Sequence, residues 1–134
     1  MGRTNASSLR ILLVDDSLTF LDAATHALAA DPRIEIVGTA LSGREGVELA
    51  AQTQPDLVLM DVAMPGMSGF EATRLIKAQP HAPQVVMLTS YDISPYRTAA
   101  RTAGADSFVS KADFGAQLLP LLDTVLANQG SALS

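Results

Sequence analysis

Leu57-Val58-Leu59-Met60-Asp61 is a four-residue apolar run that ends on a carboxylate, and three other stretches of the chain repeat the arrangement. Ile11-Leu12-Leu13-Val14 runs into Asp15-Asp16, Val85-Val86-Met87-Leu88 into Thr89, and Ser107-Phe108-Val109-Ser110 into Lys111. Near-continuous apolar runs of this length suit parallel strands buried on both faces. A weaker strand, Ile34-Glu35-Ile36-Val37-Gly38, alternates at its start and suits a sheet edge. Strand-like and helix-like segments alternate five times, which predicts an α/β domain with a doubly wound parallel sheet. In such a sheet the five polar residues that close the runs gather at the carboxyl ends of the strands, the edge where open α/β sheets bind ligands.

Composition narrows the setting. The 134 residues make one domain, long enough to bury a core without disulfides or metals. Hydrophobic residues make up 48% and mean hydropathy is +0.23, with only four Phe and two Tyr, so the core rests on Leu, Val, Ile, Met and Ala. No apolar run approaches the about 20 residues that cross a bilayer, and no membrane insertion is expected. Cysteine is absent, which excludes disulfides and thiolate metal sites and agrees with a cytoplasmic location. Met1 to Arg10 lacks the apolar stretch of a secretory signal, and Ala6 stands where a Gly2 myristoylation motif needs Ser or Thr. The net charge of −5 and scattered basic residues argue against nucleic-acid binding by this domain itself. Residues 1–8 read as a flexible lead, 9–127 as the domain and 128–134 as a flexible tail.

Helix starts are well marked. Ser42-Gly43-Arg44-Glu45 and Ser68-Gly69-Phe70-Glu71 are capping boxes. Ser17 caps a first helix with Leu18, Leu21 and Leu28 on one stripe, and Ser94 precedes Pro95 at a helix start. Pro120 predicts that the last helix begins late, near residues 116–118, where a first-turn proline sacrifices no hydrogen bond.

Three carboxylates at one edge repel one another unless a positive group lies between them. A hard divalent cation answers that need, and Lys111 adds a mobile positive charge. With the Thr89 hydroxyl these groups stabilise charge on a transferring phosphoryl group, and a carboxylate is itself a competent acceptor. Singly, each has an ordinary structural explanation: Asp as turn former, Lys as solvated charge, Thr as strand residue. Only their joint placement points to a site. His26 and His81 belong to no cluster.

Asp15-Asp16, Asp61 with Met64-Pro65-Gly66-Met67-Ser68-Gly69 behind it, Leu88-Thr89-Ser90, and Gly104-Ala105-Asp106 leading to Lys111 together resemble the receiver domain of bacterial response regulators. The resemblance covers about residues 9–127. It implies a flavodoxin-like sheet in the order 2-1-3-4-5, with two helices on one face and three on the other. It implies Asp61 as phosphoacceptor, served by a sensor histidine kinase or a histidine phosphotransfer protein. Asp16, Asp61 and the backbone carbonyl of Ala63 would hold Mg²⁺ (or Mn²⁺), with Asp15 acting through water. Thr89 and Lys111 would contact the phosphoryl oxygens, and Phe108 matches an aromatic switch that follows Thr89. Such a domain is a signalling switch, not an enzyme beyond its own phosphoryl transfer and self-dephosphorylation. The small side chains of the fourth helix predict weak docking, which puts the output surface, for an effector or a phosphorylation-dependent homodimer, on the fourth helix, last strand and last helix.

The chain departs from the family at Ala112, where proline usually follows the lysine. A cis bond to a residue other than proline costs about 2.5–4 kcal/mol, so a trans Lys111–Ala112 peptide and a different route into the last helix are expected. Ala63 and Tyr91, two residues past Asp61 and Thr89, flank the path of an attacking water. Ala63 cannot orient water and Tyr91 can screen the site, which predicts slow self-dephosphorylation. Other readings are a receiver cut from a longer DNA-binding regulator, an aspartyl-phosphate phosphatase or mutase (which needs an acid where Ala63 stands) and a flavodoxin-like electron carrier (which needs a Ser/Thr/Gly-rich loop after the first strand).

Overall fold

A computed structural model describes residues 8–133, with side chains to residue 127. Elements alternate as the apolar runs require: β1 Leu9–Val14, α1 Leu18–Ala29, β2 Ile34–Ala40, α2 Gly43–Thr53, β3 Leu57–Asp61, α3 Gly69–Lys77, β4 Gln84–Thr89, α4 Ser94–Ala103, β5 Ser107–Ser110 and α5 Phe114–Leu133. All strand pairs are parallel, in the order β2-β1-β3-β4-β5. The flexible lead expected over 1–8 falls, except for Ser8, outside the described residues. The expected tail at 128–134 lies outside the described side chains, while the backbone of α5 continues as helix to Leu133.

The two-residue period of the strands divides the core into two layers. Leu9, Ile11, Leu13, Leu57, Leu59, Val86, Leu88 and Val109 face α1 and α5. Leu12, Val14, Val58, Met60, Val85 and Met87 face α2, α3 and α4. The central strands are buried on both sides, so their runs carry no polar residue until they reach the edge.

Helix caps form largely as read. Ser42 and Ser68 accept the amide N–H of Glu45 and Glu71 at 3.1 Å, and Ser17 accepts that of Phe20 at 3.2 Å. Three local expectations need correction. Leu18 is 63% exposed, so the buried stripe of α1 is Leu21, Ala24 and Leu28. The N-cap of α4 is Ile93, without a side-chain bond, and Ser94 is already helical. α5 begins at Phe114 rather than 116–118 and holds Pro120 inside it. The early start is held by tertiary packing, because the Phe114 ring meets Phe20 edge-on with centroids 5.3 Å apart. Pro120 lies on the exposed side, where water can serve the carbonyl that loses its partner.

No described peptide is cis, so Lys111–Ala112 is trans as expected. The chain leaves β5 through a 3-10 turn over Lys111–Asp113, whose Ala112 N–H donates to Ser110 Oγ at 3.2 Å. A serine cap, with no proline, thus opens the route from β5 into α5.

Candidate functional site

The carboxyl ends of β1, β3, β4 and β5 deliver their closing residues to one cavity of about 170 Å³. Asp15 is 1% exposed and its Oδ1 accepts the Ser17 N–H at 2.8 Å, which fixes the carboxylate at the start of α1. Asp61 is 5% exposed at the end of β3. Carboxylate oxygens of Asp15, Asp16 and Asp61 lie within 4.8 Å of one another. Lys111 Nζ stands 2.6 Å from Asp15 Oδ2 and 3.3 Å from Asp61 Oδ1, and 4.5 Å from the centre of the Phe20 ring.

Charge balance explains the protonation behaviour. Burial pushes the Asp61 carboxyl up, and the Asp15 charge adds to that; Lys111 pulls it back only in part, leaving it at about 6. Burial by itself lowers the Lys111 ammonium, but the hydrogen bond to Asp15 and the charges of Asp61 and Asp15 outweigh it and hold the ammonium above its usual range. One lysine is therefore too little positive charge for three carboxylates. The donor set is all oxygen, crowded and electrostatically deficient, which fits a hard divalent cation.

A carboxyl raised from 3.8 to about 6 opposes folding wherever it is ionised in the folded state, and that penalty vanishes once both states are protonated. Without metal, Asp61→Asn is expected to be more stable than wild type at pH 7.5 by about 1 kcal/mol, after discounting for solvent screening. The advantage should shrink as pH falls from about 6 toward 4. Urea titrations of both proteins across that range check it.

Thr89 is 2% exposed and engaged in its own loop: its hydroxyl donates to the Tyr91 carbonyl and accepts the Tyr91 N–H, both at 2.9 Å. Contact with a ligand in the cavity requires these bonds to break, which loosens the connection into α4. Ala63 and Tyr91 also line the cavity, although Tyr91 is 68% exposed and so sits at its mouth. Phe108 does not reach it. It is half-buried against the α2–α3–α4 layer, with the Arg97 guanidinium 5.0 Å from its ring centre. Asp92 holds that guanidinium by two bonds, of 2.6 and 2.8 Å.

Ser17, Ser90 and Tyr96 line the cavity as well, although the sequence pattern assigns none of them to the site. Ser17 and Ser90 directly follow edge residues, so the strand-end pattern could have flagged them. Tyr96 carries no such signal, because it arrives on the first turn of α4 from outside the edge.

A family model described as the response regulator receiver domain matches residues 11–122. The chain belongs to the response regulator receiver family. As a receiver of two-component systems, it is 40% identical over 108 residues to a protein-glutamate methylesterase/protein-glutamine glutaminase of a Nocardioides species, covering 77% of this chain and 29% of that protein. It is 37% identical over 110 residues to the transcriptional regulatory protein LiaR of Bacillus subtilis, covering 82% and 52%. A two-component response regulator of the LuxR family from an Aurantimonas species matches in structure with a TM-score of 0.84 at 31% identity, covering 90% of this receiver and 86% of that chain. The receiver thus spans about half or less of the length of these two curated relatives.

Proposed function

We propose that this receiver is a phosphorylation-dependent switch that takes a phosphoryl group from a phosphohistidine onto Asp61. The observation that carries this reading is the convergence of Asp15, Asp16, Asp61, Thr89 and Lys111 on one cavity, with Asp61 nearly buried yet opening into it. In the transfer a carboxylate oxygen of Asp61 bonds to phosphorus as the phosphorus–nitrogen bond to the imidazole breaks. The imidazole leaves with the electron pair of that bond. Lys111, already between Asp15 and Asp61, shifts to pair with a phosphoryl oxygen. Thr89 releases Tyr91 and donates its hydroxyl to another. Asp15, Asp16 and Asp61, with the Ala63 carbonyl, would hold Mg²⁺ or Mn²⁺, which would supply positive charge for the phosphoryl oxygens.

The donor is a sensor histidine kinase or a histidine phosphotransfer protein in the cytoplasm. The output face is α4, β5 and α5, used by an effector or by a second copy of the phosphorylated receiver. A second form of the same function is that this receiver governs an effector on a longer chain, as the greater length of a transcriptional regulatory protein and of a protein-glutamate methylesterase among its relatives suggests.

Intact-protein mass after incubation with a small acyl phosphate and Mg²⁺ tests the proposal. The wild type should gain one phosphate, dependent on Mg²⁺, and Asp61→Asn none. An adduct that persists in the variant defeats the assignment. Ala63 has no polar group to orient an attacking water and Tyr91 stands at the cavity mouth, where it can screen the phosphoryl group, so the adduct should decay slowly once the donor is removed. Decay as fast as in receivers with an amide at the position of Ala63 would overturn that part.

A further inference from the structure

α4 carries one large apolar side chain, Tyr96, on a helix whose fully buried residues are only Ala100 and Ala103. That same side chain lines the cavity of Asp61, Thr89 and Lys111. It is half-buried against the α2–α3–α4 layer, and its ring meets Phe70 edge-on with centroids 5.9 Å apart. Phe70 directly follows Gly69, whose N–H donates to the Val62 carbonyl at 2.9 Å and whose backbone abuts the Asp61 carbonyl. One phenol therefore touches the cavity, anchors the helix and leans on the segment that backs the acceptor.

We propose that Tyr96 is a positioning residue that couples occupancy of the Asp61 cavity to the placement of α4. The reasoning is geometric and rests on the proposed phosphoryl transfer to Asp61. Burying a single alanine gains little, so Ala100 and Ala103 hold α4 weakly and its position follows its one large anchor. A phosphoryl group in a cavity of about 170 Å³ competes for the space that Tyr96 borders. At the same time Thr89 must give up both bonds to Tyr91, which frees the short link from Thr89 to α4. Displacement of the phenol and release of the link then act on the same helix end. Phe108 packs against the same core layer but stays outside the cavity, under the Arg97 guanidinium, so it does not border a ligand there as Tyr96 does.

Hydrogen–deuterium exchange of the amides of residues 94–103 tests the coupling, on wild type, Tyr96→Leu and Tyr96→Ala. Each is read with and without acyl phosphate and Mg²⁺, and label on Asp61 is measured by intact mass in the same samples so that comparisons are made at equal occupancy. In the wild type, label should change α4 exchange by about fivefold or more. Leucine fills the core but is too short to border the cavity. Tyr96→Leu should keep unlabelled α4 exchange within about twofold of wild type while losing the response to label. Tyr96→Ala should raise unlabelled exchange in α4 and show no response. A labelled Tyr96→Leu with the full wild-type response reduces Tyr96 to a packing residue and overturns the proposal. Failure of the wild type to take label overturns the phosphoacceptor reading and this coupling with it, a result the mass measurement separates from the first.

Discussion

Gly69→Ala is expected to destabilise the fold by about 3 kcal/mol or more, a large share of the stability of a domain this size. A Cβ at position 69 would overlap the Asp61 carbonyl oxygen and stand 3.0 Å from Met87 Cε. The first of these is backbone at the end of a central strand and cannot yield. α3 must instead back away, which breaks the Gly69–Val62 bond and displaces the loop from Val62 to Ser68. Any label on Asp61 that survives should form slowly, because this loop carries Ala63 and shapes one wall of the cavity. Urea unfolding measures the first effect and intact mass the second. A variant with wild-type stability would mean that α3 can slide without cost, against the close packing seen at Gly69 and also at Gly46, where a Cβ would stand 2.8 Å from Val14.

Lys111→Met is expected to cost about 2 kcal/mol at pH 7.5 without metal, less than the 3–5 kcal/mol typical of breaking a buried pair. The reduction has a definite cause. With the ammonium gone, the carboxyl of Asp61, already at about 6, rises further and takes up a proton, which caps the penalty. The Lys111 ammonium is held above its usual range, so its contribution is present below about 10 and lost as pH rises through its folded value. On the acid side the loss shrinks as the Asp61 carboxyl protonates, so the difference from wild type should be smaller at pH 4. Added Mg²⁺ should raise the melting temperature of Lys111→Met more than that of wild type, since a cation then replaces the missing charge. Phosphoryl labelling should fall by about 10²–10³, the usual effect of removing one preorganised charge from a developing anion. Equal Mg²⁺ responses in the two proteins would show that Lys111 and the cation do not share the same carboxylates.

The sheet and five of the site residues were legible because a parallel strand buried on both faces leaves its sequence one place to be polar, its end. Leu57 to Asp61 shows this most plainly, with every residue up to the carboxylate buried. Capping boxes at Ser42 and Ser68 were equally direct, since a cap is made within four residues. What escaped was set by contacts distant in sequence. Leu18 satisfies helical spacing but is the first residue of α1 and stays exposed. The start of α5 depends on Phe20, more than 90 positions away, pressing on Phe114. Tyr96 enters the cavity only because α4 packs against α3 and β5, which no local pattern announces.

The sequence by itself determined the strand runs, the helix entries and the identity of the residues at the sheet edge, because these follow from burial and from bonds made within a turn. The tertiary structure alone decided how charge is balanced there. The 2.6 and 3.3 Å approaches of Lys111 to Asp15 and Asp61, the closed Thr89–Tyr91 loop and the phenol of Tyr96 depend on the relative placement of four strands and one loosely held helix. Electrostatic energies change steeply over such distances at low dielectric, so a pattern accurate to a residue still leaves the chemistry of the site to be set by packing.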